Sequence, residues 1–255
     1  VEPLEDPAHP GPVPTDLEEL NAALARHEAQ VAELESFVYT VSHDLNGPLI
    51  SILGYVDLFE SDFGSSIPDE GKFYLERIKA SGNFMQLLIT DLLELSRVGR
   101  VHTEPETVDL HVLINEIADE IRIDAPEAKV TVNGLPAIHL NPVRAKQLFA
   151  NLIDNSVKHA DRPDVAIEVR SEETSDGLVT LSVTDNGPGI PMSQRDKVFG
   201  VFERLDPSRS GTGMGLAVCR RIVESNGGSI WIERSDVGTD MRLSVPVATT
   251  DGSGA

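Results

Sequence analysis

The sequence predicts an α+β chain of two domains: a long helical hairpin that pairs into a dimeric four-helix bundle, followed by an α/β sandwich. Three observations predict it. Apolar residues recur every seven positions between Leu17 and Leu45. A second amphipathic stretch follows a turn rich in Gly, Ser and Pro at Ser61–Pro68. Beyond about residue 105 the pattern changes to short strand-like and helix-like segments in alternation.

Residues 1–14 contain five prolines and little apolar periodicity, which predicts a linker or tail. Thr15 and Asp16, with Glu18 and Glu19 behind them, form a helix N-terminal signal. Leu17, Leu24, Val31, Val38 and Leu45 then make one stripe, and Leu20, His27, Leu34 and Val41 the other. Five filled heptad positions in succession predict a coiled-coil or bundle helix, with His27 as a buried packing residue. The helix is expected to bend at Gly47 and Pro48 and to continue through Ile52, Val56 and Phe59. The second helix places Leu75, Ile78, Met85, Ile89 and Leu92 on one face and stops near Arg97-Val98-Gly99. One hairpin cannot cover both of its apolar stripes, so two are expected to pair. The first domain is thus 15–98.

The second domain, 106–248, has strand-like segments at 129–133, 164–170, 178–184, 229–234 and 239–245, and helix-like segments at 110–123, 142–159 and 212–225. These predict one mixed or antiparallel sheet with helices on one face. Residues 249–255 are expected to be a disordered tail.

With 255 residues, 40% of them hydrophobic, the chain can bury real cores. A net charge of -21 argues against a nucleic-acid or anionic-membrane surface. Six lysines against fifteen arginines suit either high salt or the ordinary acidity of a GC-rich genome. Cys219 stands alone, so neither a disulfide framework nor a thiolate metal cluster is expected. No apolar run approaches the roughly 20 residues needed to span a bilayer. The opening lacks a signal-peptide pattern, and the sequence reads as a cytoplasmic portion of a larger protein.

Four clusters carry chemistry. In the heptad register His43 falls at f, pointing away from the seam, where an incoming group can reach it. Asp44 beside it can hold one ring nitrogen and leave the other as nucleophile. In helix 142–159, Asn151, Asn155, Lys158 and His159 share a face opposite Leu148, Phe149, Leu152 and Ile153. Amide oxygens and a cation on one stripe suit a Mg²⁺-bound polyphosphate. Asp185-Asn186-Gly187-Pro188-Gly189 follows an apolar strand; its carboxylate can accept from the exocyclic amine of adenine but meets a second acceptor in guanine, which predicts ATP over GTP. Gly211-Thr212-Gly213-Met214-Gly215-Leu216 opens a helix and offers free N–H groups to phosphate. It is neither a Walker A loop nor a dinucleotide fingerprint. Between the glycine clusters, Lys197–Arg204, followed by Arg209, has the aromatic and basic residues of a mobile lid.

The string FVYTVSHDLNGPL at 37–49 resembles the phospho-acceptor box of sensor histidine kinases, particularly those placed after PAS or phytochrome-type sensors. The four clusters in order resemble the H, N, G1, F and G2 boxes of that family over roughly residues 30–247. The resemblance implies ATP-dependent autophosphorylation on His43, with Asp44 as assisting base, and transfer to an aspartate of a response regulator. It implies Asn155 as the Mg²⁺ ligand with Asn151 beside it, Lys158 on the phosphates and His159 among the nucleotide-binding residues. It implies Asp185 on adenine with Gly187 and Gly189 lining the base pocket, and Gly211, Thr212, Gly213, Gly215 and Leu216 on the phosphate side. A homodimer and an upstream sensor domain outside this chain are implied too. Two departures stand out. Gly47 occupies the position, four after the histidine, where members that dephosphorylate their partner carry Thr or Asn; weak or absent phosphatase activity is expected. The arginine usual beyond the aromatic box aligns with Pro207, so Arg204 or Arg209 substitutes. Two other functions fit parts of the pattern: an ATPase of the gyrase, Hsp90 or MutL type, for which Asn151 stands in place of the water-activating glutamate, and a non-catalytic dimeric nucleotide-binding scaffold.

Overall fold

A computed structural model describes residues 17–97, 104–206, 211–235 and 237–248. The expectations for 1–14 and 249–255, for the stop at Val98-Gly99, and for Pro207 and Arg209 lie outside these residues.

Helices α1 (Leu17–Phe63) and α2 (Asp69–Arg97) form the expected hairpin. Pro48 lies inside α1, where its missing N–H leaves the Asp44 carbonyl without an i+4 donor. The turn is tied by Gly64 N–H to Glu60 O (2.9 Å) and Ser66 N–H to Phe63 O (2.8 Å). The helices then lock together. Lys79 Nζ reaches both Asp57 Oδ1 and Glu60 Oε2 at 2.8 Å. At Gly82 the absence of a side chain admits Leu53, whose Cδ2 would stand 2.6 Å from an added Cβ. Leu49 and Ile89 are buried between the two helices.

In an antiparallel pair, moving along one helix means moving back along the other. With Lys79 level with Asp57, Arg97 lies opposite about residue 40. The first half of α1 therefore projects beyond α2. His27, expected to be buried, is exposed within the single chain, as are Leu20, Leu24 and Leu34, because no part of α2 reaches them. Leu45, Pro48, Leu49 and Ile52 of α1 meet Tyr74, Ile78, Gly82 and Met85 of α2 in a shallow apolar groove along the hairpin.

The second domain is built from β1 (Glu106–Asp109), α3 (Leu110–Asp124), β2 (Lys129–Asn133), β3 (Ala137–Leu140), α4 (Pro142–His159), β4 (Ala166–Ser175), β5 (Leu178–Asp185), α5 (Gly215–Ser225), β6 (Ile230–Glu233) and β7 (Asp240–Pro246). Five strands form one mixed sheet in the order β2-β4-β5-β7-β6, parallel between β2 and β4 and antiparallel elsewhere. Val169, Leu181 and Leu243 point from it into a core shared with Ile114 of α3, Phe149 of α4 and Ile222 of α5. The opposite face carries Arg242, which pairs with Asp240 and Glu172. The alternation of buried and polar residues along each strand thus places the helices on one face.

Local signals explain the boundaries. Asp109 caps α3 by accepting from the His111 and Val112 N–H groups, and Asn141 caps α4 from ahead of Pro142. Two strands escaped the sequence pattern: β1 and β3, which pair antiparallel as a separate ribbon, Val108 opposite Ile138. Four residues each are too short to show an alternation. Helix 212–225 is also corrected: α5 begins at Gly215, since Gly213 takes φ +75°, a left-handed conformation that cannot continue a helix backward.

Candidate active site

The exposed face of α4 and the two glycine clusters enclose a single cleft of about 540 Å³, a size typical of nucleotide and cofactor sites. Its walls include Asn151, Asn155, Lys158 and His159 from α4, Asp185 and Gly189 after β5, Arg204 from the lid, and Gly211, Thr212, Gly213, Gly215 and Leu216 ahead of and within α5. Residues far apart in sequence, Asn151 and Leu216 among them, meet here because β5 and α5 both pack against α4.

Asp185 is held in place by the backbone. Its Oδ1 accepts from the N–H of Gly187 (2.9 Å) and of Thr239 (3.0 Å). Its Oδ2 accepts no hydrogen bond among the described residues, so one oxygen is anchored and the other is available to a ligand. Gly187 corrects an expectation: it does not line the cleft. It lies behind Asp185, where an added Cβ would come 3.0 Å from the Ala160 Cα at the end of α4. Gly189 does line the cleft, at φ +76°, pressed against Gly238.

At the other end, the Asn151 Nδ2 donates to Gly215 O (3.4 Å), joining α4 to the start of α5. An added Cβ on Gly215 would lie 4.0 Å from the Asn155 Nδ2, so both amides flank the first turn of α5. Lys158 Nζ pairs with Asp154 Oδ2 at 2.6 Å, on the half-exposed rim of the cleft. Burial pushes the Cys219 thiol up to about 12, with a hydrogen bond from Asn151 opposing it; this cysteine is an inert core residue. In the lid, Phe199 is buried with the Arg220 guanidinium 4.6 Å above its ring, whereas Phe202 is exposed at φ +64°. The two aromatic residues are therefore not equivalent anchors. Gly213 lets the lid backbone approach: an added Cβ would meet Glu203 O at 2.6 Å.

Sequence reasoning missed several lining residues. Thr239 and Met241 arrive with β7, whose pairing with β5 sets Asp240 opposite Thr184. A Gly-Thr turn directly before an amphipathic strand was the available signal. Leu87, Asp91 and Glu94 come from α2, so the hairpin supplies one wall; nothing in a heptad pattern announces such a contact.

His43 is placed apart from the cleft. Its side chain is 77% exposed and that of Asp44 72%, with Nδ1 and Oδ1 3.2 Å apart. Its neighbour Ser42, about 100° around the helix, is only 1% exposed. At 100° per residue, His43 lies about 160° around α1 from Leu45 in the apolar groove, so the imidazole faces away from that groove.

The comparisons agree with this division. The family described as "His Kinase A (phospho-acceptor) domain" matches residues 33–100, and "Histidine kinase-, DNA gyrase B-, and HSP90-like ATPase" matches 140–249. The chain is similar to the methanogenesis regulatory histidine kinase FilI of Methanothrix harundinacea, 38% identical over 86% of this chain and 25% of that protein. It is also similar to the phytochrome-like protein Cph1 of Synechocystis, 32% identical over 89% of this chain and 31% of that protein. The chain thus spans between a quarter and a third of the length of these relatives. Among solved structures, full-length ShkA in complex with AMPPNP superposes with a TM-score of 0.66 at 26% identity, covering 84% of this chain and 46% of that one. Phospho-acceptor hairpin and ATPase-type sandwich follow one another here in one polypeptide, and the chain belongs to the sensor histidine kinases.

Proposed function

We propose that this chain phosphorylates its own His43 with ATP and passes the phosphoryl group to an aspartate on a response regulator receiver domain. One observation supports it above others: clusters far apart in sequence line one cleft, while a solvent-facing imidazole with one nitrogen already engaged stands on a separate domain. In this role the domains are the hairpin 15–98 and the ATP-binding unit 106–248.

The residues divide the work. The anchored carboxylate of Asp185 offers its second oxygen to the adenine amine. The loop from Gly211 to Gly215 and the first turn of α5 present N–H groups to the phosphates. Lys158 and Arg204 add positive charge at the rim, Arg209 being a further candidate. The Asn155 amide oxygen, with His159 and Asn151 nearby, fits a Mg²⁺ ion that takes one or two protein ligands and otherwise keeps water and phosphate oxygens. Bound there, that ion would neutralise charge on the transferring group. Asp44 accepts the Nδ1 proton and so leaves the Nε2 lone pair as nucleophile. Nε2 forms the new N–P bond as the bond from the γ-phosphorus to the bridging oxygen breaks and ADP departs.

His43 does not line the cleft, so the transfer needs the ATP-binding domain to change its seat on the hairpin. The apolar groove through Leu45, Ile52, Ile78 and Met85 supports pairing of two hairpins into a four-helix bundle. No helix among the described residues is long and apolar enough to cross a membrane, and we place this portion in the cytoplasm, downstream of a sensor domain.

Incubation with γ-labelled ATP tests the proposal. Acid-labile, base-stable label that disappears in His43→Gln, while ATP binding persists, supports it. Released phosphate without label would mean an ATPase instead, and neither outcome would mean a nucleotide-binding scaffold.

A further inference from the structure

The loop proposed to hold phosphate already holds an anion. The Met214 N–H, at the start of α5, donates to Thr212 Oγ1 (3.3 Å), and the Thr212 hydroxyl donates in turn to Asp91 Oδ2 on α2. Thr212 is buried, so this relay is shielded from water. A helix N-terminus carries partial positive charge and attracts an anion. Here that anion is a carboxylate from the hairpin. One helical turn further along α2, Glu94 Oε2 accepts from Arg144 Nη1 (3.0 Å) and Gln147 Nε2 (3.3 Å) at the start of α4. Leu87, Asp91 and Glu94 thus form a strip that closes one side of the cleft.

We propose that Asp91 is a built-in competitor of the nucleotide's phosphates. Docked as observed, the hairpin sets one negative charge against the Thr212 hydroxyl, in the same cleft as the loop where a polyphosphate would carry several more. The two cannot share the loop without repulsion. Nucleotide binding and release of the hairpin are therefore coupled, and the coupling is reciprocal: whatever loosens α2 from the ATP-binding domain raises nucleotide affinity, and nucleotide frees α2. The same event provides the change of seat that His43 requires. This inference rests on the nucleotide assignment above.

The test compares two probes, AMPPNP and adenosine, by calorimetric titration of the whole chain. Asp91→Asn keeps the size and an acceptor for Thr212 but removes the charge. It should tighten AMPPNP; a gain of about tenfold would correspond to a site that the docked hairpin keeps closed in roughly nine molecules of ten. Adenosine, without phosphates, should change less than twofold. Glu94→Gln, which weakens the second attachment and lies outside the phosphate loop, should also tighten AMPPNP, by about threefold. AMPPNP affinity unchanged or weakened in both variants overturns the competition. So does an equal gain for adenosine, which would make the effect one of access. Failure of every form, wild type included, to bind either probe overturns the nucleotide assignment and this inference together.

Discussion

Asp185 separates two roles that a single alanine substitution would confuse. Its Oδ1 holds two backbone N–H groups, those of Gly187 and Thr239, while its own N–H donates to Thr239 O at 3.0 Å. Asp185→Ala strips both donors of their partner. A buried unpaired donor costs about 1–3 kcal/mol; because this region is half-buried, the lower end applies to each, about 2 kcal/mol in all. For a domain of this size that is a fall of roughly 5 °C in melting temperature. Asp185→Asn behaves differently. Its amide oxygen can keep both N–H bonds, made weaker by loss of the charge, at about 1 kcal/mol. Its Nδ2, however, replaces the oxygen offered to adenine and sets donor against donor. Mismatches of this kind in a site built to hydrogen-bond discriminate by about 10⁴. Adenosine binding should fall by three to four orders of magnitude in Asp185→Asn with a melting shift of only a few degrees, and the preference should move toward guanosine, whose carbonyl can accept from Nδ2. Differential scanning fluorimetry and calorimetric titration with both nucleosides measure this. If Asp185→Asn binds adenosine within tenfold of wild type, base recognition does not run through this carboxylate.

Other perturbations probe the hairpin. Leu45→Glu puts a charge into the apolar groove and should convert a dimer to monomers, seen by light scattering; a dimer that survives it uses another surface. Gly82→Val should cost the hairpin about 1–3 kcal/mol in urea unfolding by overpacking Leu53, whereas in Gly82→Ala a gain in helix propensity of about 1 kcal/mol offsets the displacement of the flexible Leu53 end. Equal effects of the two would refute the close approach. Gly47 is exposed with open space around it, so Gly47→Thr should fold normally. It should speed dephosphorylation of the partner aspartate from a low wild-type rate by about tenfold; rapid dephosphorylation by the wild type would show that a side chain at this position is dispensable.

What could be read in advance followed from how locally each feature is encoded. The hairpin was legible because a seven-residue period repeated five times leaves few other structures, and its turn was marked by Gly64 and Pro68. Helix α4 was legible to the residue, since Asn141, Pro142 and the apolar run at Leu148–Ile153 all agree. The cleft residues were found from glycine and carboxylate patterns, each tied to a local backbone need. Gly187 was assigned to the wrong side of the loop because its contact is with Ala160, which no local pattern links to it. Strands β1 and β3 were missed for the same reason: four residues stabilised by each other across 30 positions carry no periodicity. The burial of His27 was expected from its heptad position, but heptads specify a seam and do not name the partner. In one chain α2 is too short to fill it.

Helix α2 joins these parts. Ile78 and Met85 face the groove, while Asp91 and Glu94, counted at 100° per residue, lie roughly on the opposite side and face the cleft. Gly82 binds the helix to α1 on the groove face, and Lys79 does so between the two faces. A rotation of α1 within a paired bundle cannot leave α2 unmoved, because Leu53 fills the space over Gly82 and the Lys79 ion pairs hold the register. Any turn of α2 large enough to repack the groove also swings Asp91 relative to Thr212. On the inference drawn above, the long projection of α1 beyond α2 is a lever whose near end reaches the loop ahead of α5 through the Asp91–Thr212 hydrogen bond. That arrangement requires no conformational change inside the sandwich: its core, closed around Phe149 and Ile222, can stay rigid while only its seat on the hairpin alters.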